Sequence, residues 1–404
     1  MQPKSNYITY TESLYYEPQS LYLECGQERR VCAELKKLGT KRILVICRPS
    51  FLTSRNVVDF MKSLESAGFR VFTYRITMDY SSSKDILAAF NDYMSYNCDT
   101  IVVMGGGAEI FCAKMVSAMA TNNLRNPVEA EGYGKLKKDI SVLCCVGMDN
   151  STSISSNISE FRDENTGRWI TCLSNYLVPQ IAVIDTDIAM RTITQVSLTS
   201  ALDTVALGVE CCLSPSASMD SRYKACARNA ISLVTDNLMD MKENPDDGFL
   251  RRKIALAGIY AGMAVRKTGL GYSHVAVHAL KSRYGPSTGA HYCRILSAFL
   301  KENFEIVKDE LADIYNGLVK DEVRPGFAVR KGSLENMYST EASAEAFISL
   351  MDDIYKAAVP DVGPFPKIPE KDVKGICDEI KTQGEVYGLS RMTEEQIRRT
   401  ALKL

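Results

Sequence analysis

"TIVVMGGGAEIFCAK", residues 100–114, is the stretch from which the fold can be read. An apolar run rich in β-branched residues has the composition of a buried strand; three glycines follow it, and then a helical pattern begins. At Gly105, Gly106 and Gly107 no Cβ keeps a phosphate from the backbone, and the N-terminus of the next helix offers free N–H groups and the positive end of its dipole. A tight turn chosen only for backbone freedom would need the same residues, so the run alone leaves both readings open. Lys114, two turns into the helix, is placed either to help hold a phosphate or to be solvated.

Four further runs resemble this strand: "KRILVI" near residues 42–46, "VFTYRI" at 71–76, "SVLCCVG" at 141–147 and "IAVIDT" at 181–186. Between them lie helical patterns such as "NVVDFMKSLESAG" and "KDILAAFNDYMSYN", closed by Gly or Asn. Strands alternating with helices predict a parallel sheet covered on both faces. After about residue 190 only helical periodicity continues, from "SLTSALDTVALGVECCLS" to "SAEAFISLMDDIYKAAV", interrupted by "KENPDDG" and the Pro-rich "VPDVGPFPKIPEKD". The expected organisation is an α/β Rossmann-like domain over residues 1–188 and an all-α domain over 189–404.

Composition narrows the function classes. The chain of 404 residues has a formal net charge of −1, which points to neither nucleic acid nor a membrane surface as a partner. No apolar run approaches the ~18–20 residues that cross a bilayer, and the N-terminus lacks the pattern of a signal peptide. The thirteen cysteines include no CxxC pair and sit in apolar settings such as "LCC" and "VECCLS". They read as reduced core thiols of a cytoplasmic protein.

All three histidines of the chain, His274, His278 and His291, fall within "GYSHVAVHALKSRYGPSTGAH", residues 271–291. His274 and His278 are four apart in a predicted helix and share a face. Neutral imidazole is the commonest ligand for divalent metals such as Fe²⁺ and Zn²⁺. Asp203 interrupts an otherwise apolar, small-residue stretch, "SLTSALDTVALGVECCL". If buried, it needs a partner: a metal, an ion pair or a helix N-terminus. One carboxylate and two histidines with an open position form an ordinary catalytic metal set.

These motifs resemble the iron-containing (group III) alcohol dehydrogenases and their relatives, the glycerol dehydrogenases and dehydroquinate synthases. "LYLECGQERRVCAELKKLGTKRILVI" is similar to that family's opening, with Gly26 before the first helix. "MGGGAEIFCAK" is similar to GGGSxxDxAK, and "VPQIAVIDTDIAMRTITQVSLTSALD" to the segment that ends on the first metal ligand. "GLGYSHVAVHAL" resembles the two-histidine helix, and "SRMTEEQIRRTALKL" the usual C-terminus. The resemblance implies a dehydroquinate synthase-like fold, Asp203, His274 and His291 as ligands of Fe²⁺ or Zn²⁺, and His278 as a proton relay. It also implies a pyrophosphate turn at Gly105, Gly106 and Gly107, cofactor contacts at Ser151 and Thr152, and a homo-oligomer, expected as a dimer.

Departures from the family pattern accompany it. A fourth ligand found in the alcohol dehydrogenases is replaced by Leu207, the Ser and Asp of GGGSxxDxAK by Ala108 and Phe111, and the Thr/Gly-rich cofactor segment by "VGMDNSTSI". Many NAD-using members carry an Asp after the first strand, where this chain has Cys47 and Arg48. A guanidinium there suits a 2′-phosphate, so NADP(H) is favoured over NAD(H). Lys281, seven residues after His274, shares the ligand face and would suit an anionic substrate; Phe111, at the family's Asp position, is a second substrate candidate. The expected activity is metal-dependent, NAD(P)-linked alcohol dehydrogenase or aldehyde/ketone reductase chemistry on a small molecule. A sugar-phosphate cyclase of the dehydroquinate synthase type and a non-catalytic nucleotide-binding homologue are the alternatives.

Overall fold

The computed structural model describes residues 20–23, 28–147, 152–185, 194–214, 221–285, 289–320, 339–360, 368–386 and 394–403. It divides into two compact units. The first gathers the described residues of Tyr15–Ser197 and Pro245–Arg266, the second those of Leu198–Asn244 and Lys267–Leu404. The expected boundary at residue 188 lies outside the described residues.

In the first unit six strands form one parallel sheet. They are β1 (Ser20–Tyr22), β2 (Arg42–Cys47), β3 (Arg70–Arg75), β4 (Thr100–Gly105), β6 (Val142–Gly147) and β9 (Ile181–Ile184), in the order β1-β9-β6-β4-β2-β3. Helices α1 (Glu28–Lys37), α2 (Arg55–Ser66), α3 (Ser83–Ser95) and α4 (Gly107–Asn122) alternate with the strands. Strands β2, β4, β6 and β9 are almost wholly buried, as a parallel sheet with both faces covered requires. The five strands expected from the sequence are all present. A second sheet was not expected: β5 (Gly132–Tyr133) runs parallel to β8 (Trp169–Leu173), which pairs antiparallel with β7 (Ile158–Arg162).

Helix α4 has no polar face, since Glu109 to Met119 are buried apart from Phe111. A helix apolar all round belongs inside a core, and α4 packs between α3 and β7. Helix α7 (Gly248–Thr268) returns to this unit through its residues up to Arg266 and packs on the loop at 152–157. Ser155 Oγ donates to Ile259 O at 2.9 Å, Arg266 Nε to Ser155 O at 2.5 Å, and Asn157 Nδ2 to Arg266 O at 3.3 Å.

The second unit is helical among its described residues: α5 (Thr194–Leu213, from Leu198 on), α6 (Ser221–Glu243), α8 (Tyr272–Tyr284), α9 (Gly289–Glu302), α10 (Phe304–Lys320), α11 (Thr340–Ala358), α12 (Glu370–Val386) and α13 (Glu394–Lys403). The helical periodicity that runs unbroken from His291 to Val319 resolves into two helices, with Asn303 at the break and its side chain turned back to Phe299 O at 2.9 Å. Helix α5 is long and apolar enough to cross a membrane by length and composition, which the sequence reading did not register. Of its most apolar window, 72% is buried in the protein, so it serves as a core helix.

The closest approach in the first unit is at Gly262 of α7, where an added Cβ would lie 2.1 Å from Ser155 Oγ and 2.4 Å from Thr152 O. A backbone oxygen cannot rotate away, so Gly262→Ala should destabilise the protein by about 1–3 kcal/mol. Urea unfolding should show this as a lower midpoint at constant slope.

Candidate active site

In the first unit the site begins where β4 hands over to α4. Gly105 has φ +150, and a Cβ there would fall 2.7 Å from Glu109 Oε2, so only glycine fits. Gly106 is the N-cap of α4, and its N–H donates to Glu109 Oε2 at 2.9 Å. The other oxygen of this buried carboxylate accepts from Arg48 Nε. Arg48 also donates through Nη1 to Asp79 Oδ1 at 2.6 Å and through Nη2 to Asp79 O at 3.1 Å. Burial opposes the charge on Arg48, but Glu109 and Asp79 outweigh it and hold the guanidinium above its ordinary value. Beside it, burial and then Glu109 push the Cys47 thiol up to about 12, so it is no nucleophile.

Lys114 is not solvated. Its side chain is fully buried, and Nζ donates to Ser156 O at 2.7 Å and Ile158 O at 3.0 Å, pinning α4 to the start of β7. Burial pulls its pKa down to about 7; the Cys145 and Cys172 thiols raise it slightly and Arg266 lowers it further. Phe111, half-buried, lies one turn along α4, and its carbonyl accepts from Ser159 Oγ at 2.8 Å. Thr152 opens a short 3₁₀ turn, and its carbonyl accepts from Ser155 N and Ser156 N. Ser151 and Gly26 lie outside the described residues.

In the second unit α8 carries His274 and His278 on one face, with ring centroids 4.7 Å apart in an edge-on arrangement. His278 is fully buried and His274 half-buried. The ring of Tyr292, on α9 next to His291, meets His274 edge-on at 5.4 Å. Helix α9 begins against Asp203: a Cβ on Gly289 would lie 2.8 Å from Asp203 Cγ and 1.9 Å from Thr199 O. Helix α9 therefore meets α8 at His274 through Tyr292, and α5 at Asp203 through Gly289. Asp203 is not buried; it is the exposed position between buried Leu202 and Thr204. The burial argument for a partner does not apply to it, and its claim to a role rests on its neighbours. Lys281 is half-buried in the last turn of α8.

Residues 18–186 match the iron-containing alcohol dehydrogenase family, and residues 199–358 match the C-terminal domain of the Fe-containing alcohol dehydrogenase family. The chain belongs to the iron-containing alcohol dehydrogenases. Among curated relatives, alcohol dehydrogenase 4 of Schizosaccharomyces pombe is 24% identical over 295 residues, 72% of this chain and 68% of that one. The NAD-dependent methanol dehydrogenase of Bacillus methanolicus is 21% identical over 313 residues, 75% and 81% of the two chains. Among solved structures, a 1,3-propanediol oxidoreductase superposes with a TM-score of 0.82 at 19% identity over 96% of this chain and 98% of that one. Sulfoacetaldehyde reductase from Bifidobacterium kashiwanohense, solved with NAD+, superposes at 0.76 with 16% identity over 95% and 96%.

As an iron-containing alcohol dehydrogenase the protein is a metal-dependent oxidoreductase that acts on alcohols and is linked to NAD(H). The donor chemistry fits a divalent ion: ring nitrogens of His274 and His278 lie within 4.8 Å of one another, near enough for two imidazoles to serve one ion. The glycine turn at a helix N-terminus has the chemistry an anion needs, since Gly106 N–H there already donates to a carboxylate oxygen, that of Glu109.

Two residues at this site were not singled out from the sequence. Glu109 is one. Glu210, two turns after Asp203 on α5, is the other: its buried carboxylate accepts from Gly271 N at 3.2 Å, Ser273 N at 2.8 Å and the Tyr292 hydroxyl. Burial, then Glu210, push Tyr292 well above its ordinary value, so it remains a phenol that donates. Glu210 thus ties together α5, α8 and α9. A lone Glu within a helix is most often solvated, so the sequence carried no signal for either residue.

The depressed Lys114 gives stability a definite pH dependence. Below about 7 the buried amine is charged in both states; from there to 10.5 only the unfolded state holds the extra proton, so stability rises with pH across that window. Lys114→Met removes the titration and orphans two carbonyls. It should be less stable than the parent at pH 9, and the gap should narrow toward pH 6 in urea unfolding. A gap constant with pH would mean that Lys114 is not depressed.

Proposed function

We propose that the protein interconverts a small alcohol with its aldehyde or ketone, holding its divalent metal, Fe²⁺ or Zn²⁺, through Asp203, His274 and His291. The observation that supports this is that α9, which carries His291, touches α8 at His274 through Tyr292 and α5 at Asp203 through Gly289. When bound, the metal supplies a Lewis acid for the substrate oxygen and the nicotinamide supplies hydride exchange at the adjacent carbon. His278, buried one turn from His274, moves the proton lost or gained by the substrate hydroxyl. Gly105, Gly106 and Gly107 receive the dinucleotide pyrophosphate, with Ser151 and Thr152 as further polar contacts and Lys114 fixing α4 beneath them.

Arg48, at the end of β2, recognises a 2′-phosphate, so that NADP(H) is preferred over NAD(H). Lys281 and Phe111 are the candidate substrate contacts, and the lysine favours a substrate that carries a carboxylate or phosphate. Residues 1–188 act as the dinucleotide-binding part and 189–404 as the metal-binding part, in a cytoplasmic enzyme that works as a dimer.

Elemental analysis of protein purified without chelator should find a single equivalent of iron or zinc, lost in His274→Ala. Absence of metal from both proteins after reconstitution would overturn the ligand assignment. Arg48→Ala should weaken NADPH binding by about tenfold relative to NADH, measured by fluorescence titration. An unchanged ratio would remove Arg48 from cofactor choice.

A further inference from the structure

The carboxylate of Glu109 lies over the glycine turn, on the backbone N–H that a phosphate would use. Its Oε2 accepts from Gly106 N at 2.9 Å, and it occupies the space above Gly105 that the missing Cβ leaves open. The side chain is 2% exposed and is covered by Arg48, whose guanidinium is shared between Glu109 and Asp79. A carboxylate and a phosphate oxygen make the same kind of charge-assisted bond to a helix N-terminus, so two anions cannot use this seat together.

We infer that Glu109 is an internal competitor for the dinucleotide pyrophosphate and sets the affinity of the enzyme for its cofactor. This rests on the reading of Gly105, Gly106 and Gly107 as the pyrophosphate turn. Cofactor enters when Glu109 leaves Gly106 N–H and Arg48 breaks from the carboxylate. Two groups hold Glu109 and a third acts on it through Arg48. Gly106 N–H and the Arg48 guanidinium stabilise it in place; Asp79 draws Arg48 outward and weakens the pair. In the empty protein the seat is thereby neutralised, and binding a pyrophosphate means exchanging one anion for another instead of filling a vacant cationic site.

The exchange predicts an effect opposite to that of an ordinary structural residue. Glu109→Ala removes a helix cap, so its melting temperature should fall. Its affinity for cofactor should nonetheless rise, by about tenfold for both NADH and NADPH, because the pyrophosphate is common to the two. Glu109→Gln, which keeps a neutral acceptor for Gly106 N–H but loses the charge that pairs with Arg48, should fold more stably than Glu109→Ala and gain less affinity.

The measurement is fluorescence titration of NADH and NADPH into the full chain and both variants, beside their thermal melts. Tighter binding of both nucleotides with a lowered melting temperature supports competition at the turn. Unchanged or weaker NADH binding in the folded variants overturns it while leaving the pyrophosphate turn intact. A gain confined to NADPH also overturns it, since that gain would come from a released Arg48. Binding of neither nucleotide by the parent or the variants would remove the cofactor reading itself, and competition with it.

Discussion

Lys114 donates to the carbonyls of Ser156 and Ile158 from a helix otherwise apolar on nearly every side, and much of the first unit depends on that pair of bonds. The parallel sheet has to be covered, and α4 covers it so completely that the helix has no wet face to which a long cationic side chain could retreat. The ammonium must be met within the core, and backbone carbonyls meet it. Those carbonyls belong to the segment on which α7 lands through Gly262, Arg266 and Ile259. One buried amine therefore links the glycine turn at the start of α4, the short sheet beyond β7 and a helix from a hundred residues further along the chain.

The two glutamates missed from the sequence perform one operation in two places. Each puts a buried carboxylate on the N-terminus of a helix that carries site residues, where the helix dipole and unsatisfied N–H groups favour a negative charge. Glu109 caps its own helix and needs Arg48 to balance it. Glu210 caps α8 from α5, and its further partner is the neutral hydroxyl of Tyr292, held as a phenol. The charged pair closes a place where an anion is expected to enter. The pair of Glu210 and Tyr292 fixes the approach of three helices.

The sheet was legible because strands buried on both faces read as unbroken apolar runs, and glycines punctuate their ends. β5, β7 and β8 were not, because runs such as "ISEFR" and "WITCL" are short and carry polar residues that give no clear period. The break at Asn303 was hidden for a related reason: neither glycine nor proline marks it, and the helical period runs through it. At the site, the spacing of His274 and His278 could be read because two rare residues four apart have one geometric meaning on a helix. Asp203 was noticed for the wrong physical reason, burial, when in fact it stands exposed beside the first residue of α9. The state of Lys114, buried and near neutral, could not be inferred from a single lysine, since it depends on contacts with residues more than forty positions away.

The chain leaves the first unit after Ser197, returns for Pro245–Arg266, and then leaves it again. A ribosome delivers residues in order, so this unit cannot reach its final packing when its sheet is complete at Ile184; it lacks the helix that seats Gly262 against Thr152 until some eighty further residues have been made. During that interval the apolar surface around Ile154 and Phe161 has no Ile259 or Ala255 against it, although all four share one core in the finished protein. The intervening segment, from Leu198 to Asn244, belongs to the second unit, most of whose residues lie still later in the chain. The first unit is thus finished only after part of the second has been made, and a fragment ending at the last strand would be a sheet with part of its cover missing.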